Sequence, residues 1–324
     1  MGKMKLEILS KNDCERIHNA SIKVLETIGA QFLNDEALNY LEKYGSVVDR
    51  KQMIAKIPER VVNEFMKKAK PEWPYVNRDF KPIPKQDVYF MTFGEGTYMT
   101  DRNGVAHPSQ SKDQEKVLIV GNALPAVDIP HGAVTARDIP PWRSNFAGIV
   151  RDWNLLSNPK KSAAGFGPIA GVDDESMAVA IELCSILAGG KEKLLKNPIL
   201  TGGGCPTSPL VWPKIILDLF IQAAKNGMRT LAINMAVSAS TAPMSLAGTL
   251  VIHCSEMLSF EVFSQLVAYD AGYNGIPAMM GCSATTMDVR KGYCPVGNPE
   301  MALLNAAAAE LAQYYNCPNV SAGA

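Results

Sequence analysis

A chain of 324 residues with 47% hydrophobic and 20% charged content has the apolar mass for a large core, either one big α/β domain or two smaller ones, and lacks the signature of disorder. Lys+Arg and Asp+Glu each number 32, so no global field favours nucleic acid or an anionic membrane surface. Seven cysteines without framework spacing, an amino terminus without an apolar leader core, and apolar runs interrupted short of a span of about 20 residues predict a cytosolic protein with no membrane helix.

The first third predicts helices. Residues 14–28 place Ile17, Ile22, Val24, Leu25 and Ile28 on one broad apolar stripe, with Asn12 or Asp13 as the cap. Further helices are expected over 35–44 and 58–70, the latter opening on Pro58, where the missing N–H loses no hydrogen bond. Prolines and Trp73 mark 70–84 as an irregular connector. Residues 88–92 and 96–100 alternate as a hairpin-like pair around Gly94-Glu95-Gly96, with a polar turn at 101–104. Residues 1–105 are therefore expected to form a helical N-terminal extension with a hairpin, packed on a larger domain over 106–324.

From Ser111 onward, apolar strands alternate with helices. Helices are predicted over 112–124, 143–157, 174–188, 209–226, 245–268 and 299–315, and strands over 126–134, 162–167, 199–203, 230–237, 276–281 and 319–323. Uniformly apolar strands followed by helices imply a parallel sheet buried on both faces. An open doubly wound sheet would carry a phosphate fingerprint, but the glycines of 165–171 have the wrong spacing with a Pro among them, and Gly202-Gly203-Gly204 runs into Cys205-Pro206. A closed barrel needs about 8 strands in about 250 residues. The expected fold is thus α/β, a (β/α)8 TIM-type barrel incomplete at its C-terminus, with about six of the eight strands.

Such a barrel works at the carboxyl ends of its strands. That face would carry His131, Phe166, residues 203–207, 238–241 and 282–288, and Gly323-Ala324. Each has a plainer role: His131 as a satisfied core histidine, Phe166 as barrel packing, Cys205 and Cys282 as small buried hydrophobes, Asp288 as an ion pair with Arg290 or Lys291. Glu300, behind Pro299, suits the first turn of a helix by its charge alone. The candidate substrate contacts are Phe166, His131, Asp288, Glu300 and Gly323. His253, Glu256, Glu261 and Gln265, all within 245–268, are expected to face outward or toward a subunit neighbour. The chain holds no G-x-S-x-G, H-E-x-x-H, paired C-x-x-C or P-loop, so neither a hydrolase triad nor a zinc site is supported.

Eight segments carry a family resemblance: HNASIKVLETIGAQF (18–32), FGEGTYMTD (93–101), GNALPAVDI (121–129), ILAGGKEKLLKNPI (186–199), CPTSPL (205–210), TAPMSLAGTLVIHCSEML (241–258), MDVRKG (287–292) and GNPEMALLNAAAAELAQYY (297–315). In this order and spacing they resemble the trimethylamine:corrinoid methyltransferases, a family whose relatives also take glycine betaine. The resemblance implies a barrel and methyl transfer from trimethylamine to the Co(I) corrinoid of a cognate partner protein, in methylamine-dependent methanogenesis or related one-carbon metabolism. No cofactor would be bound directly, the corrinoid being carried by the partner, and the full-length protein would be a homo-oligomer. A methylammonium pocket could be lined by Phe166, Trp142, Tyr269 or Tyr273. In the trimethylamine-specific members a pyrrolysine follows the segment corresponding to PNVSAGA (318–324), so the catalytic residue is expected just beyond Ala324 and the chain as read is expected to be an inactive, amber-truncated product. The alternatives are a relative without pyrrolysine that demethylates glycine betaine or another quaternary amine, and a non-catalytic barrel fragment acting as an interaction module.

Overall fold

The computed structural model describes residues 7–73, 81, 83–84, 88–92, 94, 96–140 and 174–322. Its amino-terminal elements are α1 (Lys11–Thr27), β1 (Ala30–Phe32), α2 (Asp35–Lys43), β2 (Val47–Asp49), β3 (Ile54–Lys56) and α3 (Glu59–Met66). Next come β4 (Tyr98–Thr100), β5 (Ala106–Pro108), α4 (Ser111–Ala123), α5 (Asp174–Ala188) and α6 (Lys191–Lys196). The remainder holds β6 (Thr201–Gly204), β7 (Val211–Trp212), α7 (Lys214–Lys225), β8 (Arg229–Asn234), β9 (Val237–Ser238), α8 (Leu246–Asp270), β10 (Ala278–Cys282), β11 (Thr285–Thr286), α9 (Pro299–Tyr314) and β12 (Asn319–Ser321). By contact the chain divides into two compact units, one of residues 1–73, 203–226 and 230–324, the other of 74–202 and 227–229.

The first unit is built on α8, a 25-residue helix that is buried on nearly every face. A helix apolar all round has no solvent face to show and must be wrapped. Helices α1, α2, α3, α7 and α9 all pack on it. Its Phe260 meets Phe220 of α7 at 4.9 Å between ring centroids, and Phe263 meets Phe32 of β1 at 5.6 Å. By length and composition α8 could cross a membrane, yet 72% of its most apolar window is buried in the protein. Here the expectation that Pro, Gly or charge breaks the apolar runs well short of about 20 residues is corrected: α8 is long and apolar enough, and its Glu256 and Glu261 lie inside the core.

Beside α8 lies a sheet in the order β12-β10-β8-β6, to which β6 contributes Gly203 and Gly204 from this unit. Strand β10 pairs parallel with both neighbours, Met280 standing opposite Ala232 on one side and Asn319 on the other. At Gly281 an added Cβ would lie 2.7 Å from the Ala232 carbonyl oxygen, so strand spacing there requires glycine. The alternation of apolar strand and helix thus yields the parallel α/β arrangement it predicts. Among the described residues no sheet closes into a ring.

A second sheet, in the order β2-β3-β1-β7, joins the amino-terminal segment to Trp212. Its strands are two or three residues long, too short for a period-2 pattern, and none of the four is foreseen from sequence. Helix α1 begins earlier than expected: Ser10, not Asn12 or Asp13, is the cap. Its hydroxyl accepts from the Asp13 N–H at 3.2 Å while the Asp13 carboxylate accepts from the Ser10 N–H at 3.1 Å, a reciprocal box that satisfies two end donors. Pro58 is the residue before α3 rather than its first, and α3 ends at Met66.

In the second unit the hairpin lies one element later than expected. Strands β4 and β5 pair antiparallel with Met99 opposite His107, closed by Asp101, whose carboxylate accepts from the N–H groups of Asn103 and Val105. Residues 126–134 form no regular strand; they make single bridges at Ile129 to Met91 and at Val134 to Gly96. Helix α5 runs over the predicted span, 174–188. The predicted helix 143–157 and strand 162–167, with Trp142 and Phe166, lie outside the described residues, as does Gly323.

Candidate active site

In parallel α/β sheets the strands' carboxyl ends leave backbone groups and loop side chains free to meet a ligand. In the first unit those ends are Gly204, Asn234, Cys282 and Ser321. The loops after β8 and β10 continue side by side, Asn234 accepting at its carbonyl from the Ser283 N–H at 2.8 Å and β9 pairing parallel with β11. Ser238 and Thr249 share a 2.5 Å hydroxyl contact that fixes the first of these loops to the start of α8. Asn298 fixes the second, donating to Thr286 Oγ1 at 2.9 Å while its own oxygen caps α9.

Between the ends of β6 and β8 stands one fully buried carboxylate, Glu256 of α8. Its Oε1 accepts from the Leu210 N–H at 2.7 Å, and its Oε2 accepts from the Ser208 hydroxyl at 3.0 Å and from Asn234 Nδ2. Burial pushes its pKa up, and these donors offset that rise only in part. Asn234 also accepts from the Ala236 N–H at 3.2 Å, so a single side chain bonds both Glu256 and the turn that follows β8. At the far side of the sheet Ser321 donates to the Asn305 carbonyl at 3.2 Å, and Asn305 Nδ2 donates to the Ala284 carbonyl at 3.1 Å, which ties the ends of β10 and β12 to α9.

Asp288 is half-buried and structures its own loop, its Oδ1 accepting from the N–H groups of Arg290 at 3.0 Å and Lys291 at 3.1 Å. Glu300 is exposed in the first turn of α9. His131 belongs to the second unit and is 4% exposed; Thr92 bonds its backbone on both sides, and its Nδ1 accepts from the Ala133 N–H at 3.4 Å. Cys282 is buried and its thiol pushed up to about 12, far from a thiolate at neutral pH. Tyr269 and Tyr273 immediately precede β10, which places them at the amino end of the sheet, opposite this face. Around the face itself Met235, Met244, Val289, Tyr293 and Val296 are exposed apolar side chains.

A family model described as trimethylamine methyltransferase (MTTB) matches residues 2–324. The chain belongs to that family. A trimethylamine methyltransferase of Desulfitobacterium hafniense is 30% identical over 322 residues, 97% of this chain and 62% of the relative. One from Methanosarcina mazei is 31% identical over 329 residues, 99% of this chain and 64% of the relative. A glycine betaine methyltransferase of Desulfitobacterium hafniense is 26% identical over 330 residues, 100% of this chain and 66% of the relative. The chain therefore spans under two thirds of the length of these relatives.

Within the family chain, the polar residues of α8 correct an expectation. His253, Glu256, Glu261 and Gln265 all point inward. Gln265 holds both backbone groups of Ile276, donating to its carbonyl at 2.9 Å and accepting from its N–H at 3.0 Å. Burial lowers His253 to about 4 and raises Glu261 to about 7, so between about pH 4 and pH 7 both are neutral. One signal in the sequence could have found them: the polar residues of this helix fall on every side rather than in a stripe, which no solvent-facing helix does.

Proposed function

We propose that this chain is the substrate-binding part of a methyltransferase that moves a methyl group from trimethylamine, as its ammonium ion, to a corrinoid carried by a partner protein. Family membership over residues 2–324 is the observation that carries this reading. The reduced corrinoid, a co-substrate, would supply the nucleophile. The amine departs as neutral dimethylamine because its nitrogen carries positive charge before transfer, a charge that preorganised carboxylates and aromatic faces favour. The exposed apolar rim of Met235, Met244, Val289, Tyr293 and Val296 suits a protein surface laid over the carboxyl ends of the strands.

The reading includes closure of the parallel strands into a (β/α)8 barrel in the full-length protein, with 1–105 as its N-terminal extension, a cytosolic setting and homo-oligomerisation. It keeps Phe166, His131, Asp288, Glu300 and Gly323 as proposed substrate contacts, and it places a pyrrolysine just past Ala324. Reading the codon there tests that last point directly. The match to a glycine betaine methyltransferase across the whole chain supports a second reading, a quaternary-amine substrate. Assay of the full-length protein with its reduced corrinoid partner separates the two: dimethylamine from trimethylamine is the expected product, dimethylglycine from glycine betaine the product of the second reading, and neither product would refute both.

A further inference from the structure

We infer that Glu256 is a charge-selectivity residue: a buried anion held without a counter-cation at the carboxyl ends of β6 and β8, whose field favours a positively charged ligand on that face over a neutral one of the same shape. This rests on the methylated-ammonium reading above and supplies a residue for it. Three observations support it. Glu256 is 0% exposed, so water does not screen its charge at the source. Its three partners, the Leu210 N–H, the Ser208 hydroxyl and Asn234 Nδ2, all donate to it, and hydrogen bonds to the charged form stabilise that form. Among the described residues no Lys, Arg or His is paired with it, so its carboxylate is met by dipoles and not by a cation.

Position makes this more than a structural bond. Ser208 and Leu210 belong to the loop that leaves β6, and Asn234 is the last residue of β8. The charge therefore sits under the junction of two adjacent strand ends, where a ligand of a parallel α/β fold is met. Glu261 shows the contrast: it lies five residues along the same helix, toward the amino end of the sheet, and has a single donor.

The test uses the full-length protein and two probes of similar shape, tetramethylammonium chloride and the neutral alcohol tert-butanol, with dissociation constants measured by titration calorimetry. At an effective dielectric of about 20, the interaction of two unit charges is still worth about tenfold in affinity at a separation of about 12 Å. E256Q is expected to lower the preference for the cation about tenfold with the alcohol unchanged. S208K, which leaves the carboxylate in place and sets an ammonium beside it, is expected to do the same and covers the case in which E256Q does not fold. Unchanged preference in either folded variant overturns the inference, as does an equal loss for both probes, the mark of a merely structural role. A wild-type protein with no preference for the cation overturns both this inference and the methylammonium reading; a wild-type preference that survives E256Q overturns this inference alone.

Discussion

Helix α8 carries two buried glutamates in opposite circumstances. Glu256, near the strands' carboxyl ends, accepts from three donors. Among the described residues Glu261, toward their amino ends, accepts only from Gln265 Nε2 at 2.8 Å, and its Oε2 has no partner. Both lose the solvation of water equally, being 0% exposed. Donor count differs: burial raises both, three donors oppose that rise at Glu256 and one opposes it at Glu261, which is raised to about 7 and is a carboxylic acid at acid pH. The glutamate with three donors lies near the carboxyl ends of the strands, and the one with a single donor among the described residues lies toward their amino ends.

Breaking Glu256 has the largest expected effect. Glu256→Ala strands the Leu210 N–H, the Ser208 hydroxyl and Asn234 Nδ2 in the core, and denaturant unfolding of the full-length protein is expected to show a loss of about 4 kcal/mol. A loss under about 1 kcal/mol would mean that water reaches these donors and that the charge is not buried.

Glu261 is expected to show itself through pH. Its folded pKa, about 7, lies above its ordinary 4.5, so between these values the unfolded chain releases a proton that the folded protein keeps. Its contribution is whole below pH 4.5 and is lost as pH rises through 7, by about 3 kcal/mol in all. His253 works in the other sense: lowered from 6.5 to about 4, it contributes above pH 6.5 and its share is lost as pH falls through 4. Over the shared window the two slopes oppose. Glu261→Gln is therefore expected to leave stability rising with pH between 4.5 and 6.5, and His253→Gln to leave it falling; unfolding curves across that range check both signs.

How much of this was readable beforehand follows the same division. The alternation of apolar strand and helix located β6, β8, β10 and β12, and α5 and α9 were placed to within a residue, since each is long enough to show its period. Strands of two or three residues, β1 to β3 and β7, show none and depend on distant partners for their pairing. The site suffered from a rule that polar residues face water. Applied to α8, that rule sent Glu256 outward, when wrapping by five helices leaves no outward face. The place of Glu300 in the first turn of a helix is legible from Pro299, whereas Asp288, expected to pair with the Arg290 or Lys291 side chain, accepts from their backbone amides in a turn that spacing does not encode.

Smaller perturbations sharpen the contrast. Gln265→Ala removes the one donor to Glu261 among the described residues together with both bonds to Ile276, and is expected to cost about 2 kcal/mol at pH 5 and more at pH 8, where ionising Glu261 loses that donor's help.

Ser208→Ala is the finest cut. It takes one donor of three from Glu256 and leaves Leu210 and Asn234 in place, so the expected loss is about 1 kcal/mol. The informative quantity is its pH dependence. With fewer donors the folded pKa of Glu256 moves further up, and stability should then decline as pH rises through that pKa, the behaviour that marks Glu261. If the decline is larger in S208A than in the parent protein, where Glu256 and Glu261 are both already raised, donor count alone moves one kind of buried glutamate toward the other. If S208A loses the same stability at every pH, the two remaining donors suffice to hold the charge, and the hydroxyl serves the loop after β6 rather than the carboxylate.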